Sequence, residues 1–173
     1  MMLATPMRDV KLRAWASTDR LDLVKHGNNR KVWRNLTDVF PSPYTLDDAD
    51  AWIARAGSTS AQLHLAIEFG GEAVGGIGVV ARDGNHRLTG RFGYWLGEAC
   101  WGRGIATAAA LAMSRHVLAT RELVRLEAPV FAWNPASARV LEKVGFTLEG
   151  VHRRSMCKDG VVIDTLMYAL IRE

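Results

Sequence analysis

The strongest constraint on the fold is a turn, Trp101-Gly102-Arg103-Gly104-Ile105-Ala106-Thr107, that leads from a strand pattern into a long Ala-rich segment. Two glycines in such a place let the backbone approach a ligand closely. The free N–H groups and positive dipole of the following helix favour an anion such as a pyrophosphate. Arg103 adds a bidentate donor. A tight turn with no ligand is the alternative reading of the glycines alone. A Walker loop needs Lys and Ser/Thr after the second glycine of GxxxxGK(S/T), and neither follows here. A dinucleotide GxGxxG would place Gly or Ala where Thr107 stands, and it would open an early βαβ unit, whereas this turn follows several strands.

The segments around the turn define an α/β chain. Val10 to Trp15 is a strand candidate, and Thr18 or Asp19 caps a helix to about His26. Trp33 to Tyr44 is an aromatic-rich loop. Thr45 to Ala56 is helical, with Asp47, Asp48 and Asp50 near its positive end. Leu63, Leu65, Ile67 and Phe69 alternate with His64, Ala66 and Glu68, and Gly70-Gly71 turns the chain into Ala73 to Val80, which predicts a hairpin. Arg91 to Leu96 is a further strand. The Ala-rich helix runs from about Arg103 to Ala119, and Val124 to Val130 alternates again. Asn134 is an N-cap with Pro135 at the first helical position, and this helix stops at Gly145. Two last strands flank Asp159-Gly160, whose sequence suits a two-residue turn pairing Cys157 with Val162 and Ser155 with Asp164. The order β-α-α-β-β-β-α-β-α-β-β predicts one mixed central sheet.

Length and composition narrow the function. The chain has 173 residues, so residues 1–173 are expected to form a single domain. Its net charge of +4 comes without a run of like charges, which argues against a nucleic-acid arm and suits a phosphate-rich ligand. No apolar run reaches bilayer length and Met1 to Asp9 lacks a secretory core, so the expectation is a cytoplasmic protein with no membrane partner. Cys100 and Cys157 are the two cysteines, with no metal-ligand spacing, so neither a disulfide framework nor a metal is expected.

The ordered set Trp33 to Trp52 with Phe40-Pro41-Ser42-Pro43-Tyr44-Thr45, then Gly93-Tyr94-Trp95-Leu96, then the glycine turn, then Asn134-Pro135-Ala136-Ser137 to Glu142-Lys143-Val144-Gly145-Phe146 resembles the GNAT superfamily of acyl-CoA N-acetyltransferases. Within it, the chain resembles the branch containing ribosomal-protein N-terminal acetyltransferases. One departure is Trp101, which stands where the superfamily's Gln/Arg-x-x-Gly-x-Gly/Ala pattern has Gln or Arg.

The resemblance implies a GNAT fold: a mixed, mostly antiparallel sheet, flanked by helices and splayed between Arg91–Leu96 and Val124–Phe131. Pro129 removes a ladder donor and so suits an edge, a bulge or a splay, an ordinary edge strand being the alternative reading. It also implies acetyl-CoA as cosubstrate, with Gly102, Arg103, Gly104, Ile105, Ala106 and Thr107 on its pyrophosphate. The backbone of Leu96, Gly97 and Glu98 would pair with the pantetheine arm, and Asn134 would touch that arm from the other side. Transfer would occur by direct attack in a ternary complex, with a backbone N–H near Leu96 polarising the thioester.

Leu141 occupies the position where many members carry a tyrosine acid, which leaves Ser137 as the proton-relay candidate, or else as a second helix-capping hydroxyl. The glutamate that some relatives place in the penultimate strand is Met156 here. Glu68, His64, Glu127 and Asp164 are candidate bases, each also readable as a salt-bridged or solvated residue. An α-amine, with a pKa of about 7.7–8.0, has less need of a base than a lysine at about 10.4, and water can take its proton. His26, His86, His116 and His152 read as surface or structural. Trp33, Asn35 and Tyr44 are the acceptor-contact candidates, while Phe40 and Trp52 read as a satellite core. The expected acceptor is a primary amine, foremost a protein or peptide N-terminus, with a small-molecule amine or a non-catalytic acyl-CoA-binding module as alternatives. A homodimer is left open.

Overall fold

The computed structural model describes residues 1–57, 59 and 61–172. Strands β1 (Met2–Ala4), β2 (Val10–Arg13), β3 (Gln62–Phe69), β4 (Glu72–Ala81), β5 (Thr89–Leu96), β6 (Arg125–Phe131), β7 (Thr147–Lys158) and β8 (Val161–Ile171) form one sheet in the order β1-β2-β3-β4-β5-β6-β8-β7. The helices are α1 (Arg20–Gly27), α2 (Arg30–Trp33), α3 (Leu46–Ala56), α4 (Ile105–Thr120) and α5 (Pro135–Val144). Every neighbouring pair of strands is antiparallel except β5–β6. The expected order of elements is present, with β1 and α2 added. Both additions are too short for a periodic signal: three and four residues.

Local chemistry sets the elements at the expected places. Thr45 caps α3, and its hydroxyl and Asp48 close a reciprocal box. Asn134 caps α5 by accepting from Ser137 N–H, and Gly145 ends that helix in the left-handed region. At the last hairpin Asp159 and Gly160 both have positive φ, and Cys157 faces Val162 as expected. Ser155 does not face Asp164. The register slips between His152 and Met156, Arg154 takes a positive φ, and Asp164 Oδ1 accepts from the Arg154 N–H. The segment is a bulge, in which extra residues on one strand face one on the other.

Asp19 stands at the N-cap of α1 as expected, but its side chain makes no capping bond to that helix. Its carboxylate is buried and takes both Arg13 Nη atoms at 2.7 Å, while its backbone follows a short 3-10 turn.

The core lies between the sheet and helices α4 and α5. Ile105, Ala109, Ala110, Met113 and Val117 of α4 are buried against Leu12, Ile77, Val79 and Phe92. The small alanines let the helix lie close on the sheet. A second cluster of Leu23, Tyr44 and Ala49, flanked by Trp15, Phe40, Trp52 and Trp95, fills the other face under α1 and α3.

Candidate active site

The site begins where the sheet opens. β5 and β6 pair only at Thr89↔Arg125, Gly90↔Leu126 and Arg91↔Glu127. Beyond Arg91 the strands diverge, as the expected splay requires. On β5, Thr89 C=O accepts from Arg82 and Gly97 N–H donates to Val74, so odd-numbered groups face β4. Strand alternation then turns the N–H groups of Tyr94 and Leu96 into the opening. On β6, Arg125 N–H reaches toward β5 at Leu88 while Ala132 N–H reaches β8 at Asp164. The same alternation puts Pro129 on the gap side, where its missing donor leaves no orphan.

Between the diverging strands lies a cleft of about 800 Å3. Of the residues expected at the cosubstrate, Leu96, Gly102, Gly104, Ile105, Ala106, Thr107 and Asn134 line it, and so does Ser137. Gly102 and Gly104 have φ of 73° and 79°, and Gly104 caps the 16-residue α4. The left-handed pair turns the chain so that the first amides of α4 open onto the cleft, the arrangement that anions prefer.

Not every expected cosubstrate contact lines the cleft. The Arg103 guanidinium stacks over the Phe69 ring at 4.5 Å, outside the wall. Glu98 is held by Asn29 and Lys31 on the surface, and Gly97 lies against His26. His26 is buried and bonds Glu72, so its role is structural. Trp101, the departure from the superfamily pattern, does line the cleft, and its indole N–H donates to Leu96 C=O at 2.7 Å. That bond ties the turn to the end of β5.

Ser137 sits in the first turn of α5, with its N–H on Asn134 Oδ1 at 3.2 Å. Its Oγ lies 2.9 Å from Tyr94 Oη, which is also 3.1 Å from Ser137 C=O. Sequence reading gave Tyr94 no role, since its hydroxyl meets α5 only once the fold is formed. Burial pushes the Tyr94 phenol up to about 12, against the opposing pull of Ser137, so it stays protonated. The single phenol proton goes either to Ser137 C=O, with Ser137 Oγ then donating to Tyr94 Oη, or to Ser137 Oγ, which leaves the serine proton free for the cleft. Leu141, one turn further along α5, is buried at the cleft wall.

The wall expected to meet the acceptor is built from distant segments. Asn35, Phe40 and Tyr44 line it, together with Trp52, His64 and Met156. Tyr44 is buried in the satellite core and only floors the cleft, while Phe40, expected in that core, is half-buried beside it. Trp33 does not line the cleft. Its ring lies under Lys158 Nζ at 3.5 Å and under Arg30 at 5.5 Å. Lys158, which sequence reading missed, is buried and reaches Asp38 at 2.6 Å. Arg34 stacks on Trp133 at 4.3 Å, and Arg30 bonds Asp159. These cations strap residues 30–38 to the C-terminal half of the sheet, across the opening.

Of the candidate bases, Glu68 is held by Lys11 and Arg13, Glu127 by Arg82, and Asp164 by Arg154 N–H. None of these three lines the cleft. His64 does, half-buried, and burial pushes its pKa below the usual imidazole value. Among the described residues no group of His, Cys, Asp and Glu is placed to hold a metal, and no helix is long and apolar enough to cross a membrane.

With this geometry in hand, comparison with known proteins decides the family. Residues 9–147 match the model of the acetyltransferase (GNAT) domain. The chain belongs to the GNAT acetyltransferase family. An uncharacterized N-acetyltransferase of Bacillus subtilis, YoaA, is 34% identical over 101 residues, which cover 58% of this chain and 56% of that protein. The ribosomal-protein-serine acetyltransferase of Escherichia coli is 34% identical over 97 residues, 55% of this chain and 54% of that one. The chain thus spans about half the length of these curated relatives. The structure of Mycobacterium smegmatis RimJ in complex with a CoA-disulfide superposes with a TM-score of 0.85 at 25% identity, over 99% of this chain and 86% of that chain. The eight-stranded sheet with its β5–β6 splay is the GNAT fold.

Proposed function

We propose that this protein is a single-domain, acetyl-CoA-dependent N-acetyltransferase whose acceptor is a protein or peptide N-terminal α-amine. The observation that carries the reading is the splay: two unpaired β5 amides and a left-handed glycine turn open onto one cleft, on the opposite side from an aromatic acceptor wall. The similarity to a ribosomal-protein-serine acetyltransferase and to RimJ supports a protein terminus as acceptor.

In this reading the amides of residues 104–107 hold the pyrophosphate, and Tyr94 and Leu96 N–H receive the pantetheine arm as an added strand would. One of these β5 donors polarises the thioester carbonyl where negative charge develops. The amine attacks the carbonyl carbon and the carbon–sulfur bond breaks. Ser137 passes its proton to the departing thiolate and recovers one through Tyr94. Asn134 fixes Ser137 through its N–H.

The test is thiol release with acetyl-CoA and a mixed panel of peptides and small amines. Turnover on peptides with free N-termini, absent on the same peptides N-terminally blocked, is the expected result. Binding of acetyl-CoA without product on any acceptor contradicts it.

A further inference from the structure

The acceptor face of the sheet has a shallow floor made by glycines. His64, Gly78 and Gly93 stand in register on β3, β4 and β5. A Cβ on Gly78 would collide with His64 Nδ1, so the imidazole lies across Gly78, pointing from β3 toward β5. A Cβ on Gly93 would meet nothing, and Gly93 is exposed. The ring therefore borders open floor that leads to the β5–β6 gap.

Two polar groups there lack hydrogen-bond partners among the described residues. His64 makes no hydrogen bond among the described residues, and its ring meets Trp52 edge-on at 5.0 Å. The Trp52 Nε1 donor is buried and likewise unpaired among them. Buried polar groups are satisfied in native structures, by water where protein is absent. An unpaired imidazole on the cleft wall, packed against the Trp52 edge, marks a place where water or substrate completes the hydrogen bond.

We propose that His64 is the residue that takes the proton from the acceptor amine, directly or through one water held beside Trp52. This rests on the acetyltransferase reading above. The α-ammonium gives one proton to the His64 imidazole, and the freed nitrogen lone pair attacks the thioester carbonyl. The second proton lost on forming the amide ends on the thiol, and the imidazolium returns its proton to solvent, so one proton is released per turnover. His64 is suited to this because burial keeps it neutral at cellular pH. The charged groups lining the same cleft are Asp48 and Arg55 of α3, Arg91 of β5, and Arg139 and Lys143 of α5. Glu68, on the same strand face as His64, is neutralised by Lys11 and Arg13.

The experiment compares wild type with His64→Gln and His64→Asn on a peptide acceptor, reading kcat against pH and acetyl-CoA affinity by calorimetry. The expected result is a kcat about 6- to 11-fold lower at pH 7, the cost of waiting for the amine to lose its proton unaided, and close to wild type above the amine's own ionisation, with unchanged acetyl-CoA affinity. The wild-type acid limb lies below the usual imidazole value, where His64 becomes protonated. In both variants that limb moves up to the ionisation of the amine itself, about 7.7–8.0. Turnover by wild type with an unchanged limb in both variants overturns the base and leaves the acetyltransferase reading intact. A wild-type chain that binds acetyl-CoA but acetylates no peptide overturns both.

Discussion

The two walls of the cleft are made of different material. The proposed cosubstrate wall is backbone: the Tyr94 and Leu96 amides, the Gly102–Gly104 turn and the start of α4. The proposed acceptor wall is side chain: Asn35, Phe40, Trp52, His64 and Met156, drawn from four separate stretches of sequence. Backbone donors present the same groups whatever the residue, provided that φ is allowed, so this wall is fixed by a few glycines and tolerant elsewhere. The acceptor wall can change chemistry with any one substitution. A fixed cosubstrate and a variable acceptor are what such a division would serve.

The largest effect is expected where the backbone wall is forced to change. Gly104 has φ of 79° with open space around its Cβ direction, so Gly104→Val acts through backbone strain and not through collision. A β-branched residue does not hold that conformation. Acetyl-CoA binding by calorimetry should be lost. Normal binding would show that the turn is not the anion site.

Next in size is Ser137, the side chain placed between the two walls. Ser137→Ala should lower kcat roughly 10- to 1000-fold with little change in acetyl-CoA affinity, because a proton relay acts on the transition state. A kcat within about twofold of wild type would reduce Ser137 to a helix-turn residue, tolerated as Ala.

The strap sharpens the contrast from the acceptor side. Lys158→Met removes the bond to Asp38 and the contact with Trp33, and leaves Asp38 exposed in water. Acceptor KM should rise about 3- to 30-fold, the worth of a partly desolvated cation–π contact, with acetyl-CoA affinity unchanged. A change in cosubstrate affinity of the same size would mean that the walls are not separate.

The smallest effect is expected at Arg103. Its guanidinium is on Phe69 and outside the cleft, so Arg103→Ala should weaken acetyl-CoA binding by only about 2- to 5-fold, the value of an exposed cation–π contact. A loss beyond about 100-fold would show that Arg103 leaves Phe69 to grip the phosphates.

The same division explains what could be read in the sequence. Thr45, Asn134-Pro135, Asp159-Gly160 and the glycine turn carry local chemistry, so α3, α5, the last hairpin and the turn into α4 were legible. Trp33 was not, because its cover by Lys158 depends on a residue 125 positions away in sequence, brought near by the sheet. Tyr94 and His64 were visible as residue types, but the Ser137 contact and the Gly78 floor exist only once strands and helix are assembled. The Ser155 pairing failed because an alternating pattern does not reveal a bulge.

Amide hydrogen exchange with and without acetyl-CoA tests the central claim most directly, since it reads the backbone donors themselves. The account predicts added protection at Tyr94, Leu96 and residues 104–107, with residues 35–41 unchanged. Protection confined to residues 35–41, with β5 and the glycine turn unaffected, would contradict it.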